Sequence, residues 1–185
     1  MWSLHQQPLW RGRETPIYIT MDKYQSPNGS TRWYLVLALL ILIVDQITKW
    51  WAQISLPMGQ ALAVTDFLNW FLIYNPGAAF SFLSQAGGWQ RWFFTIVGIL
   101  AAVVIIWLLQ KNTHDRPFCI ALSLILGGAI GNVLDRLLYG AVVDFIDVHY
   151  QGWHWPAFNI ADSAISIGAT LIVINEIRRA ITQRS

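Results

Sequence analysis

"FCIALSLILGGAIGNVLDRLLYGAVVDF", residues 118–145, starts as a run made for lipid and ends on Asp135, Arg136 and Asp144. A bilayer core of about 30 Å takes about 20 apolar residues in a helix, and 118–139 supplies them. Three more stretches qualify: "WYLVLALLILIVDQITKWW" (33–51), "WQRWFFTIVGILAAVVIIWLL" (89–109) and "IADSAISIGATLIVINEI" (160–177). The 185 residues are 55% hydrophobic and 12% charged, against roughly 25% charged in soluble proteins, and the mean hydropathy is +0.44. These observations predict an all-α polytopic membrane protein with four transmembrane helices. The first span is too long for a signal-peptide core and no A-x-A site follows it, so it is expected to be retained.

Lysine and arginine set the orientation. Arg11, Arg13, Lys23 and Arg32 precede the first span, Lys111 and Arg116 sit between the second and third, and Arg178, Arg179 and Arg184 follow the fourth. The loops 52–88 and 140–159 contain neither residue. Both termini are therefore expected in the cytoplasm and both long loops outside. Residues 1–32, polar and broken by Pro8, Pro16 and Pro27, read as a loose cytoplasmic arm, with Met21 as a possible start. The membrane unit covers 33–177 and a cytoplasmic tail 178–185. In the first outer loop, 61–83 is rich in Val, Phe, Tyr and Trp and carries a Pro-Gly turn signal, which predicts a small extracytoplasmic β-sheet at the membrane surface. The formal charge of +2 without a basic run argues against nucleic acid. Cys119, the one cysteine, excludes an internal disulfide framework and reads as a small apolar residue in a helix.

An ionisable group at membrane depth costs about 2.5–3.5 kcal/mol even on lenient insertion scales, so function is its default explanation. Asp45, Asp135 and Asp162 fall inside predicted spans and Asp144 just beyond the third. With the orientation above, Asp45 lies about 18 Å beyond Trp33 at 1.5 Å per residue, with Lys49 one turn further out. Asp135 and Arg136 close the third span, and Asn159 and Asp162 open the fourth. All these costly groups thus sit at the depth of the outer leaflet. Asn132, Asp135 and Arg136 share one helix face, as do Asn159 and Asp162. Gly127, Gly128 and Gly131 offer a small-residue surface for close helix approach.

Asp45 and Lys49 read as a mutually neutralising i, i+4 pair, and Asp135 beside Arg136 as a pair that shapes the pocket. Asp66 and Asp147 read as solvated loop acids, and Glu176 as a surface residue near Arg178 and Arg179. His149 and His154, without an HExxH pattern, do not make a metal site, so neither metal nor cofactor is expected. Asp144 and Asp162 remain, acids with no basic residue within four positions. Two carboxylates converging in a low-dielectric pocket share one proton. Such a pair can draw a proton from water and protonate a carbonyl oxygen, hydrolysing a peptide without a covalent intermediate. A serine mechanism lacks a histidine near Ser163 or Ser166. A proton-coupled transporter is the alternative from chemistry alone, but the inner halves of the spans are almost purely apolar. A membrane scaffold would leave the clustered acids unexplained.

The motifs "DQITKWW" (45–51), "NPGAAFSFL" (75–83), "GNVLDRLLYGAVVDFI" (131–146) and "FNIADSAISIG" (158–168), in this order, resemble those of the lipoprotein signal peptidases, also called signal peptidase II. The resemblance covers about Trp33 to Ile177 and leaves the arm out. It implies an aspartic endopeptidase of the bacterial inner membrane that cuts prolipoproteins before a cysteine already carrying diacylglyceryl. By position it implies Asp144 and Asp162 as the catalytic pair, and Asn75, Gly77, Gly128, Asn132, Arg136 and Asn159 as substrate-binding or pocket-lining residues. It also implies Asp45, Lys49 and Asp135 as polar supports of the fold. The expected partners are lipid-modified prolipoproteins and membrane lipids, and a monomer suffices.

Overall fold

The computed structural model describes residues 30–77 and 88–182. The expected arm up to residue 29, residues 78–83 of the second quoted motif and the end of the tail lie outside the described residues. Four helices are long and apolar enough to cross a membrane: α1 (Thr31–Ser55), α2 (Trp89–Lys111), α3 (Arg116–Tyr139) and α4 (Ile160–Thr182). Each contains its predicted span and runs up to five residues past it. The outward surfaces of α1, α2 and α4 carry exposed Leu, Ile, Val or Trp along most of their length, the surface a lipid solvent requires.

α3 is the central helix, packed against all three others, and its glycines explain how. A Cβ on Gly127 would meet Ile41 of α1 at 2.8 Å, and one on Gly128 would run into the Ala161 carbonyl of α4. A Cβ on Gly131 would collide with the Asp45 carboxylate. The small-residue surface therefore lets two backbones and one buried acid approach the same helix. α3 begins on an Asp115 side-chain cap to the Phe118 N–H at 3.3 Å and ends on Gly140 in the left-handed region, φ 80°. Arg179 near the end of α4 bonds Asp115, tying the two helices together at that end.

A four-stranded antiparallel sheet lies at the other end, in the order β1 (Ala61–Thr65), β2 (Leu68–Asn75), β3 (Val142–Tyr150), β4 (Trp153–His154). The expected sheet is present, but the two long interhelical segments, α1–α2 and α3–α4, build it together, not the first alone. β-Branched Val142, Val143, Ile146 and Val148 favour the extended chain in the second segment. Gln151 (φ 49°) and Gly152 (φ 82°) turn β3 back into β4, the positive-φ pair of a tight hairpin. One sheet face buries Leu72, Val143 and Phe145 against Ala52 and Leu56 at the end of α1. Trp51 seals that contact edge-on to Trp70, ring centres 5.4 Å apart.

Candidate active site

β3 carries Asp144 and Asp147, three residues apart, which strict alternation would send to opposite faces. Phe145 and Ile146 both donate their N–H to the Phe158 carbonyl, at 3.1 and 2.9 Å, and both pack on the apolar cluster. Two residues opposing one is a β-bulge, which re-aims the side chains beyond it. Asp144 and Asp147 thus both face the cavities on the free side of the sheet.

The largest of these cavities, about 320 Å³, is lined by Asn75, Gly77, Asn132, Arg136, Asp144 and Asp162, with Phe94 and the segment Trp155–Phe158 as its apolar walls. Seven of the eight residues expected at a site are gathered here, because Asn159 bonds Asp144 directly from just beneath. Gly128 is the exception: it serves the α3–α4 contact and is not among the lining residues.

Asparagine amides hold the two acids. Asp144 accepts from Asn75 Nδ2 at 2.8 Å on one oxygen and from Asn159 Nδ2 at 2.8 Å on the other. Asp162 accepts from Asn132 Nδ2 at 2.8 Å. Asn159 caps α4 in a reciprocal box: its Oδ1 accepts the Asp162 N–H at 2.9 Å, and its own N–H donates to Asp162 at 3.3 Å. Asp162 therefore fills a helix-capping position while one oxygen also takes the Asn132 amide. Asn75 is oriented in turn, because its Oδ1 accepts the Gly77 N–H at 2.9 Å. Gly77 has φ 116°, and a Cβ there would stand 2.8 Å from the Phe94 ring. Burial pushes the Asp144 carboxyl up, and the neighbouring Asp162 charge adds to it. Bonds from Asn75 and Asn159 and the Lys49 charge offset only part, leaving it at about 7.

Beneath the pair lies a second polar cluster. Lys49 Nζ reaches Asp45 at 2.8 Å and Asp135 at 2.7 Å, with all three side chains buried. The predicted Asp45–Lys49 pair is thus present. The expected Asp135–Arg136 pair is not: adjacent helical residues diverge, so Asp135 turns to Lys49. Arg136 instead donates to the Asn132 carbonyl at 3.2 Å and lies over the Phe94 ring at 5.3 Å. Each carboxylate of the cluster grips the residue just before a site acid. Asp45 accepts the Ala161 N–H at 2.9 Å and Asp135 the Val143 N–H at 3.1 Å. Lys49 also donates to Asn132 Oδ1 at 3.0 Å. Ammonium only donates, so this bond fixes which end of the Asn132 amide faces Asp162. Gln46, which the sequence reading passed over, bridges Asp45 and Asp135 at 3.2 and 3.0 Å.

Asp66 is exposed, as a solvated acid should be. Asp147 is not: it is 5% exposed and accepts from Asn69 Nδ2 at 2.8 Å and pairs with His154 Nδ1 at 2.9 Å. Burial alone would raise its carboxyl, but these bonds and the nearby histidines outweigh it and hold it below the usual range. A Gln-Gly turn between His149 and His154 was the sequence signal for the hairpin that makes this pairing. Among the described residues no three His, Cys, Asp or Glu side chains converge as metal ligands.

Residues 37–178 match the family model described as signal peptidase (SPase) II. The chain is 60% identical over 147 residues to the lipoprotein signal peptidase of Polynucleobacter necessarius subsp. necessarius, covering 80% of this chain and 90% of that protein. It is 54% identical over 160 residues to that of Paraburkholderia phytofirmans, covering 86% and 93%. It also superposes on a bacterial membrane enzyme solved by the in meso method at 1.9 Å resolution, with TM-score 0.69, 36% identity and coverage of 78% and 92%. A second such structure, at 2.3 Å resolution, gives TM-score 0.72 at 34% identity, with coverage of 80% and 90%. With its four apolar helices and this agreement over most of its length, the chain belongs to the signal peptidase II family of bacterial multi-pass membrane peptidases.

Proposed function

We propose that the protein removes the signal peptide from diacylglyceryl-modified prolipoproteins, cutting before the lipidated cysteine with water activated by Asp144 and Asp162. The observation that carries this reading is two acids on one cavity, each held by neutral amides. Asp144, whose carboxyl stands at about 7, holds the proton the pair shares, and Asp162 is the carboxylate. A water between them gives a proton to the carboxylate as its oxygen attacks the scissile carbonyl. The protonated acid hydrogen-bonds and then protonates the carbonyl oxygen. The resulting gem-diol collapses as Asp162 passes its proton to the departing amide nitrogen and a gem-diol hydroxyl returns one to Asp144, which restores the starting proton state of the pair. Arg136 lines the cavity and gives one N–H to the Asn132 carbonyl, which leaves other donors of its guanidinium for a substrate carbonyl. Asn75, Gly77, Asn132 and Asn159 position the acids and the peptide. Gly128 contributes by setting the α3–α4 distance, and Asp45, Lys49 and Asp135 support the fold.

The same reading puts the cavity on the extracytoplasmic side of the inner membrane and both termini in the cytoplasm, because loops 52–88 and 140–159 lack Lys and Arg. The exposed Trp50, Trp89, Trp92 and Tyr139 at that end of the helices suit an interface with lipid headgroups. The catalytic unit is 33–177, acting as a monomer and needing neither metal nor cofactor, with the arm dispensable.

The test is incubation of purified protein with a diacylglyceryl-modified prolipoprotein, read on a gel for the shortened product. Wild type and Asp66→Asn should cleave. Asp144→Asn and Asp162→Asn should each bind substrate, melt normally and fail to cleave, and the double variant should be little worse, because parts of a unit are not additive. Substantial cleavage by either single variant refutes the dyad.

A further inference from the structure

One wall of the cavity is a short segment, Trp155–Phe158, that follows β4 and reaches α4. Its backbone is tied to β3 only near its ends: the Trp155 N–H donates to the Val148 carbonyl at 2.8 Å, and Phe158 exchanges bonds with Ile146. Between them Pro156 has no N–H to donate. Pro156 and Ala157 also divide the main cavity from a second one beside Asp144, lined by Phe71, Ile73 and Tyr74. Where these two residues stand therefore sets the width of the cleft on both sides of Asp144.

The residue before this wall is His154, on a strand only two residues long. Such a strand holds little by itself. Its side chain supplies the tie. Nδ1 meets Asp147 at 2.9 Å, and Asp147, acceptor-only as a carboxylate, is fixed from β2 by Asn69 at 2.8 Å. His149 stacks on the His154 ring at 5.1 Å. Asp147 is buried whereas the His154 side chain is 53% exposed, so this is a charge-assisted bond closing over a buried anchor, the stronger kind of side-chain tie. A third cavity, lined by Phe71, Asp147, His154, Trp155 and Ala157, runs beneath the same wall. Among the described residues open space therefore lies beside the wall there, and the tie carries more of its position.

We propose that His154, held by Asp147 and Asn69, is a positioning residue that fixes the Trp155–Ala157 wall and thereby sets the fit of the substrate peptide. This rests on the cleavage reading above. The dyad is anchored independently, by Asn75, Asn132 and Asn159, so loss of the tie loosens substrate binding and leaves the chemical step intact.

Steady-state cleavage of the lipidated prolipoprotein by wild type and by His154→Ala, His154→Asn and His154→Gln tests it, with a thermal melt for each. His154→Ala should raise KM about fivefold or more and keep kcat within about twofold, the signature of lost binding common to ground and transition states. Simple unfolding lowers the active fraction, hence apparent kcat, and leaves KM alone. Asparagine carries its amide nitrogen on the same carbon as histidine Nδ1 and should restore KM to within about twofold of wild type. Glutamine, one bond longer, should behave like alanine. Asp147→Ala combined with His154→Ala should raise KM no further than His154→Ala alone, since the two act as one unit. An unchanged KM in His154→Ala, a fall in kcat alone, or rescue by glutamine as good as by asparagine overturns the proposal. Wild-type cleavage with dead Asp144→Asn and Asp162→Asn, beside an unaffected His154→Ala, refutes this inference alone. Absence of cleavage by wild type refutes it together with the function it rests on.

Discussion

Lys49→Met removes the one cation from a buried cluster while keeping the length of the side chain. Nζ lies 2.8 Å from Asp45 and 2.7 Å from Asp135, and the residue is 1% exposed. Afterwards two buried carboxylates face each other with only Gln46 and the Ala161 and Val143 N–H groups to compensate them. Removing one partner of a buried pair costs about 3–5 kcal/mol, because the charge left behind is unpaired. For a domain of this size about 1 kcal/mol moves the melting temperature by 2–4 °C, so the shift expected in detergent is on the order of 10 °C downward. Adding Asp45→Asn and Asp135→Asn to Lys49→Met removes the stranded charges, and asparagine Oδ1 can still accept the two N–H groups. The triple variant should therefore recover most of the loss. A Lys49→Met protein that accumulates and melts within a degree or two of wild type refutes the stability role. If that protein were also inactive, Lys49 would act on the chemistry directly. A triple variant no more stable than the single one refutes the charge explanation.

Two further outcomes follow from the site. Asp144 has its carboxyl at about 7, against an ordinary 3.8, so kcat/KM should fall as pH rises through about 7 and the shared proton is lost; a limb that instead falls toward acid in that range contradicts the assignment. The same shift favours the protonated carboxyl in the folded protein, so its stabilising contribution is complete below about 3.8 and lost as pH rises through about 7; a melt that declines over that window in wild type should do so less in Asp144→Asn. Gly128→Ala, whose methyl would run into the Ala161 carbonyl, should force α3 and α4 apart at a cost of roughly 1–3 kcal/mol and lower both melting temperature and cleavage; a variant as stable and active as wild type shows that the helices can yield there.

The membrane architecture was legible because an apolar helix long enough to span leaves little else for a sequence to mean. The site was half legible. Asn132 and Asp135, or Asn159 and Asp162, share a helix face by spacing alone, and the spans' orientation brought them to one depth. Which cation met which acid was not legible. Asp135 had Arg136 beside it in sequence but Lys49 beside it in space, since neighbours on a helix point about 100° apart. Asp147 was misread as solvated because its burial depends on a hairpin and on the bulge at Phe145 and Ile146, both made by pairings distant in sequence. The second segment's share of the sheet was missed for the same reason. β3 gains its partners from β2, roughly 70 residues earlier, and a strand is recognised by its neighbours as much as by its own residues.

The choice of side chains around the proposed dyad follows one electrostatic rule. Among the described residues, every side-chain donor bonded to Asp144 or Asp162 is an asparagine amide: Asn75 and Asn159 on one, Asn132 on the other. Among the described residues no lysine or arginine forms a salt bridge with either. An amide orients a carboxyl by hydrogen bonding without imposing a full charge, whereas a cation within about 4–6 Å lowers an aspartate by 1–3 units. With Asp144 at about 7, a cation in the place of Asn75 would remove the proton the pair must share near neutral pH. The two cations close by are both turned aside. Arg136 gives its hydrogen bond to the Asn132 carbonyl, and Lys49 gives its own to Asn132 Oδ1 and to the supporting acids. Lys49 therefore acts on Asp162 through the orientation of one neutral amide, and on the chain around Asp144 through Asp135 and the Val143 N–H. The site thus gains the rigidity of a buried ion cluster while neutral amides surround the proposed dyad.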